Sequence, residues 1–415
     1  MEKALPPEGQ NRRAAAWAAL RHRNFRIFWL GQMVSLIGTW MQNMAQAWLV
    51  LDLTGSPFLL GLVGAAQFGP FLLFSLLAGV AADRLPRRRL LILTQFIMMA
   101  LALGLGTVTW LGLVRYWHVL LFATLVGITH TFDVPGRQSF YVELVGREDL
   151  MNAIALNSSI FNAARIVGPA AAGLVIGYFG TAACFFLNAA SFLAVLTGLC
   201  MMRVEKAKVA KQDGDVWSKI REGLGYIRST PAVLYPMVMM GAISITAMNF
   251  QVLVPAFARI VLEQDARGYG FLMSAHGLGA LAGAVSLAFL SHGGPRRGLL
   301  IAGALGLCLF QLLMAPVRWY PLAFFLMALT GWSMITFTAS VNAMVQMAAP
   351  DGLRGRIVSV YSLVFIGFTP FGNLISGALA RSWGAPVALA LGAASGLVFL
   401  AVFCRRIFTL EKRAL

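Results

Sequence analysis

Apolar residues in this chain neither alternate with polar ones, as a half-buried strand requires, nor keep to one stripe of a helix. They come in runs of about twenty, each closed by a short polar or basic stretch. The runs lie near 26–51, 57–82, 90–113, 117–138, 152–178, 181–203, 232–258, 268–290, 298–316, 320–346, 356–380 and 384–404. A helix rises ~1.5 Å per residue, so about twenty residues cross the ~30 Å of a bilayer's hydrocarbon. Hydrocarbon cannot hydrogen-bond an exposed backbone, which leaves helices as the natural form for such runs. The pattern therefore predicts an all-α polytopic membrane protein with 12 transmembrane helices. The first run lies behind Arg12, Arg13, Arg21, Arg23 and Arg26, and no small-residue cleavage site follows it. It reads as a retained span and not as a signal peptide.

Composition agrees. The 415 residues are 59% hydrophobic and 12% charged, with a mean hydropathy of +0.76. Soluble domains are about 25% charged. The net charge of +17 raises nucleic acid or anionic lipid as partners, and its distribution decides between them. With the N-terminus placed in the cytoplasm, 27 of the 33 Lys and Arg residues fall in cytoplasmic segments. Only Arg115, Arg259, Arg267, Arg318 and Arg381 fall outside, and Arg165 is left within a span. This is the positive-inside asymmetry, and it puts both termini in the cytoplasm. Charges spread over seven short segments as topology signals make no nucleic-acid surface. The expected organisation is a cytoplasmic tail (1–25), a six-helix bundle (26–203), a cytoplasmic linker (204–231), a second six-helix bundle (232–404) and a short tail (405–415). Within the linker, 216–227 has the pattern of an amphipathic surface helix.

The two bundles repeat each other. "PRRRLLI" at 86–92 returns as "PRRGLLI" at 295–301, an offset of 209. The same offset sets Gly61 on Gly270, Gln42 on Gln251, Gln67 on His276 and Asp133 on Asn342. After the loop following span four it falls to 204, setting Gly168 on Gly372, Gly173 on Gly377 and Arg165 on Thr369. Two pseudo-symmetric bundles in parallel repeat are a secondary-transporter architecture, with the substrate site near mid-membrane between the halves.

"GVAADRLPRRR" (79–89) resembles the loop between helices two and three of the major facilitator superfamily. Gly79, Asp83, Arg84, Arg87 and Arg88 match, while Pro86 stands where the family usually has glycine. "FDVPGRQSFYVELVGREDLMNAIALNSSIFNAARIVGPAAAG" (132–173) is similar to the branch containing enterobactin exporters and macrolide-efflux proteins. The resemblance implies export of a small amphipathic molecule (drug-like, macrolide-like or siderophore) by alternating access, coupled to protons, by a monomer with no cofactor. It also implies that Asp83 helps to hold an outward-open state by contacting the start of helix eleven, where Arg354 and Arg356 lie. In the second copy the aspartate position is His292. Uptake or lipid flipping by the same fold is an alternative, and so is a transport-dead receptor or assembly partner.

Arg165 is the awkward residue. It sits mid-span, about 20 Å from either end of helix five, too far for the side chain to reach water by snorkelling. A cation facing lipid at that depth costs at least ~2.5 kcal/mol, so Arg165 should face the bundle interior or a wet cavity. Gly168 and its small neighbours admit a second helix closely. Pro169 removes a hydrogen bond and frees the carbonyl of Arg165. Two uses stay open: a clamp bridging carbonyls or Asp133, and a fixed charge that meets an anionic or oxygen-rich substrate.

Other polar residues interrupt the runs. Helix one carries Trp40, Gln42, Asn43 and Gln46, helix seven carries Asn249 and Gln251, and Gln67 and His276 correspond on helices two and eight. Gln42 and Gln46, four apart, share a face. Pocket lining and plain interhelical bonds, worth ~0.6 kcal/mol each, are both open. His130, Asp133 and Arg137 lie toward the cytoplasmic end of helix four, with Asp133 and Arg137 spaced to pair. No acid lies at the centre of a span, so a coupled proton has Asp133, His130 and His276 as its candidate carriers. His22 and His118 fall near the interfaces and carry no specific expectation. The four cysteines, all in apolar runs and without metal-ligand spacing, read as small buried hydrophobes. "GLGALAG" (277–283) has no preceding strand and no Walker lysine, so its glycines read as helix packing. No catalytic constellation survives placement on the topology, and no enzyme is expected.

Overall fold

The computed structural model describes residues 17–202, 216–290, 297–350 and 353–409. His292 and most of the terminal tails and of the linker's first half lie outside them. Ten helical stretches among the described residues are long and apolar enough to cross a membrane. The last of them, Arg354–Cys404, is folded in two at Gly384, where φ is 85°. Arg23–Thr54, its hydropathy diluted by Gln32, Gln42, Asn43 and Gln46, completes twelve.

We number these α1 (Arg23–Thr54), α2 (Pro57–Arg84), α3 (Arg87–Trp110), α4 (Tyr116–Val145), α5 (Leu150–Phe179) and α6 (Thr181–Met201). A linker helix, Val216–Ser229, precedes the second half. There α7 is Pro231–Ala247 continued by Phe250–Ala256 and a single π turn, Phe257–Val261. Next come α8 (Ala266–Leu290), α9 (Arg297–Met314) and α10 (Tyr320–Ala348). Then α11 runs from Arg354 with a break after Gly367, and α12 follows Gly384. The expected spans are thus present, but α7 and α11 are discontinuous. Asn249 caps the break in α7, and Thr369 restarts α11.

One face of the molecule gathers the start of α1, the α2–α3 and α4–α5 turns, the end of α6, the linker helix and the end of α10. There His22 Nε2 meets Asp149 Oδ2 at 2.8 Å, and Ala19 N donates to Asn152 Oδ1 at 2.9 Å. Arg88 donates to the carbonyls of Leu199 and Cys200, and Tyr226 Oη donates to Ala348 O at 2.7 Å. We call it the linker face. His22, which carried no expectation, pins the start of α1 to the start of α5. On the opposite face His118 Nδ1 accepts from Arg115 N and caps α4. The expectation for the cysteines needs one correction. Cys184 and Cys308 are buried, but Cys200 is exposed at the end of α6.

The repeat is also more exact than its sequence suggests, and one equivalence changes. Tyr116 Oη donates to Leu59 O at 3.1 Å, and Tyr320 Oη donates to Gly268 O at 2.9 Å. A Cβ on Gly127 would lie 2.0 Å from Gln67 O, and one on Gly331 would lie 2.0 Å from His276 O. Both pairs match only if the offset falls to 204 before α4, not after it. The reason is that α9 ends at Met314, five residues short of the position equivalent to Trp110, where α3 ends. Asp133 therefore corresponds to Phe337, and the expected match to Asn342 is wrong.

Candidate functional site

The halves meet along two seams that repeat each other. In the first, α5 runs against α8. A Cβ on Gly173 would sit 2.8 Å from Ala266 O, and one on Gly270 would sit 2.5 Å from Pro169 O. In the second, α11 runs against α2. A Cβ on Gly377 would sit 2.7 Å from Pro57 O, and one on Gly61 would sit 2.4 Å from Asn373 O. Small residues let the backbones touch, which is how helices associate where no hydrophobic force acts between them. These contacts lie toward the opposite face, where Arg259 of α7 also donates to Asp52 of α1 at 3.0 Å and lies 5.3 Å over the Trp48 ring. Trp48 in turn stacks on Tyr269 of α8 at 6.0 Å. Among the described residues the same helices make no such glycine contact between the halves on the linker face. Gly79 and Gly355 have open space around them, and Leu73 and Leu77 of α2 are exposed. The halves are sealed at one end and parted at the other.

Below the seal lies a cavity with Trp40, Asn43 and Gln46 of α1, Gln67 of α2, Pro169 of α5 and Gln251 of α7 in its wall. Tyr269 and Met273 of α8 also face it. An amide chain crosses the wall: Gln46 Nε2 donates to Gln67 Oε1 at 3.0 Å, and Gln67 Nε2 donates to Asn43 Oδ1 at 3.3 Å. Polar lining in a largely apolar concavity suits a small amphipathic ligand.

Four residues expected at the cavity are not in its wall: Gln42, Asn249, Arg165 and His276. Gln42 accepts from Asn188 Nδ2 at 2.7 Å, inside the first half, because residues four apart drift in angle and Gln42 meets α6 while Gln46 meets α2. Asn249 is consumed by the break in α7, donating to Ile245 O at 2.7 Å against Gly372. Its repeat partner is Trp40, which packs on Gly168 in the same way. Asn188 and Tyr269 were missed by sequence reasoning. Asn188 was visible as a lone amide in span six, but Tyr269 gave no signal before the seam was known.

Arg165 is 7% exposed. Its Nε and Nη2 are enclosed without a partner, and it does not reach Asp133. His276, 4% exposed, packs on Phe250 at 4.6 Å and leaves Nε2 unpartnered. Gly277 follows it, close enough that a Cβ would lie 2.9 Å from Arg165 O.

Asp133 is the more surprising group. With α4 extending to Val145, it lies 12 residues, or ~18 Å, from the helix end and is fully buried. The acid is thus wholly enclosed by protein, which its place toward the cytoplasmic end of helix four did not announce. It pairs with Arg137, whose Nη1 donates to Gln32 Oε1 at 2.7 Å. The other carboxylate oxygen accepts from Thr94 Oγ1 at 2.8 Å and Gln95 Nε2 at 2.9 Å. A buried charge so surrounded is compensated on both oxygens. His130, one turn earlier, is exposed.

The residues carried over as gating groups divide. Asp83 and Arg84 are exposed at the end of α2. Arg356 pairs with Glu222 of the linker helix and not with Asp83, while Arg354 Nε donates to Gln346 O at 3.3 Å. Arg88 caps α6 within its own half, so it anchors α3 and does not face helix eleven.

A family model described as "Transmembrane secretion effector" matches residues 14–414. The chain belongs to this family of the major facilitator superfamily. Among curated relatives, the multidrug efflux pump Tap of Mycolicibacterium fortuitum is 28% identical over 84% of this chain and 87% of its own. The enterobactin exporter of Shigella boydii is 25% identical over 92% and 91%. The staphyloferrin A transporter of Staphylococcus aureus is 23% identical over 86% and 90%. Among solved structures, a bacterial homologue of the human lysosomal transporter Spinster superposes with a TM-score of 0.74 at 13% identity, over 94% of this chain and 97% of that one. The nucleoside transporter NupG gives 0.73 at 13%, over 92% and 98%. The chain is thus a multi-pass membrane transporter of small molecules and not an enzyme.

Proposed function

We propose that this protein exports a small amphipathic compound across the bacterial cytoplasmic membrane by alternating access, in exchange for protons. The observation that carries the reading is the pair of repeat-related seams closed toward one face only. Two related bundles that touch at one end can rock and touch at the other, which is the rigid-body motion alternating access requires. The linker face carries the basic residues, so the positive-inside rule makes it cytoplasmic. The cavity then opens inward, as an exporter loading its cargo must.

Relatives named for multidrug efflux and for siderophore export support drug-like or siderophore cargo. Asp133 is the group that would take up and release the proton, because it is the one acid buried deep in a span among the described residues. On protonation it would loosen its hold on Arg137 and so on Gln32 of α1, linking proton uptake to helix movement. In this scheme Asp83 acts in the other state, meeting Arg354 or Arg356 once the linker face closes.

The test is transport by the full chain in proteoliposomes loaded with ethidium, a macrolide or a catecholate siderophore. An imposed proton gradient should drive movement of at least one compound against its concentration, and Asp133→Asn should abolish the gradient's effect while leaving counterflow. Gradient-independent transport, or an undiminished gradient effect in that variant, would refute the coupling. Absence of counterflow with every compound would refute export of this class.

A further inference from the structure

Arg165 has no partner that explains its burial. A clamp would spend its N–H groups on carbonyls or a carboxylate, yet Nε and Nη2 are enclosed and unpaired, and among the described residues no acid reaches it. Its backbone does the helix packing instead, through Arg165 O against Gly277 and Ile166 O accepting from Ser274 Oγ at 2.7 Å. The side chain is thus free of the seam that its own carbonyl helps to close.

Position says where that freedom points. Arg165 lies one turn before Pro169, and His276 lies three residues after Met273, and both of those neighbours line the cavity. Residues at these spacings share a helix face, so the two groups stand together one turn below the cavity, on opposite halves. Farther along α5 toward the linker face, Ser158, Ser159 and Phe161 are exposed, so this is the level at which the bundles part.

We propose that Arg165 and His276 form a subsite for an anionic oxygen group (carboxylate, sulfonate or catecholate) on the transported molecule. This rests on the transporter reading above and narrows its substrate class. A guanidinium offers a planar fork of N–H donors that matches two oxygens at once, and an anion is what a desolvated cation without a counter-charge binds most strongly. Because α5 and α8 belong to different halves, a ligand bound there would bridge them, and its arrival or departure would bias their separation. The cavity's amides and the Trp40 ring would then hold the uncharged remainder.

The probe pair is dansyl-glycine and dansyl-glycinamide, which share a fluorophore and differ in the carboxylate. Binding to the full-length protein in nanodiscs is read from dansyl emission. The wild type should bind the carboxylate about tenfold more tightly than the amide. Arg165→Gln should bring the two within about twofold by weakening the carboxylate alone, and Arg165→Lys should keep part of the preference, since a point charge survives without the fork. His276→Gln, which leaves the cation in place, should lower the preference less. Equal wild-type affinities, binding of neither probe, a loss shared equally by both in Arg165→Gln, or a preference that survives that change would each overturn the subsite. Counterflow of neutral or cationic compounds would be untouched by such failure, so it does not decide the export reading.

Discussion

The two halves share a backbone but not a chemistry, and the middle of α4 set beside the middle of α10 shows it best. In the first half Asp133, Arg137, Gln32, Thr94 and Gln95 make a buried polar knot joining α1, α3 and α4. At the equivalent positions the second half has Phe337, Val341, Gly241, Gly303 and Ala304. Phe337 and Val341 are fully buried, and a Cβ on Gly303 would lie 2.5 Å from Phe337 N. One ring has been accommodated by trimming its neighbours to glycine and alanine. The same three-helix crossing is thus built once from paired charges and once from dry packing. Since a dry core does the structural task as well, the charged version fits the proton-coupling role proposed for Asp133.

Removing one partner of the knot should have the largest effect. Asp133→Ala leaves Arg137 buried without its counter-charge and should cost about 3–5 kcal/mol, seen as a large fall in thermal midpoint in detergent. Asp133→Phe together with Arg137→Val, Thr94→Gly and Gln95→Ala, borrowing the second half's solution, should recover much of that loss yet leave transport blind to a proton gradient. If this combined variant still couples, the contrast between the halves carries no function.

The seams come next, and there the halves should behave alike. Gly173→Leu and Gly377→Leu each push a side chain into a carbonyl of the other half. Each should open the seal, raising labelling of a cysteine placed at Asn43 by impermeant maleimide from the opposite face by about tenfold, the effect of ~1.4 kcal/mol. A response from only one of the two would deny that the seams are equivalent.

Smaller still is the ion pair above the seal. Asp52 and Arg259 are both partly exposed, so Asp52→Asn should shift the same labelling by no more than about fivefold, or ~1 kcal/mol. Glu222→Gln on the linker helix, more than half exposed, should change the midpoint by less than the experiment's scatter unless Arg356 is its partner in transport as well as at rest. A clear change in transport without a change in stability would mark that pair as part of the conformational cycle.

Several of these residues could be picked out from the chain alone. Arg165 announced itself as a permanent charge that no span can expose to lipid, and Gln46, Asn43, Gln67 and Gln251 as amides inside apolar runs. Asp133 was seen, but its complete enclosure was not, because Thr94 and Gln95, which bond it, come from a different helix. Gln42 and Asn249 looked identical in kind to Gln46 and Gln251, yet they bond within their own halves. No local property separates an amide that faces a cavity from one that faces a neighbouring helix.

What the sequence by itself determined is the architecture, because a bilayer punishes any other use of twelve apolar runs and sorts basic loops to one side. It determined the repeat as well, since packing glycines must recur where backbones touch. Only the tertiary structure decided the register of that repeat after α3, where five residues lost from the end of α9 leave the apolar pattern intact. It alone decided that the two seams close at one end, and that the Arg165 carbonyl lies against Gly277 of the other half. These are contacts between segments far apart in the chain, and their geometry depends on how whole helices lean, which no short stretch of chain encodes.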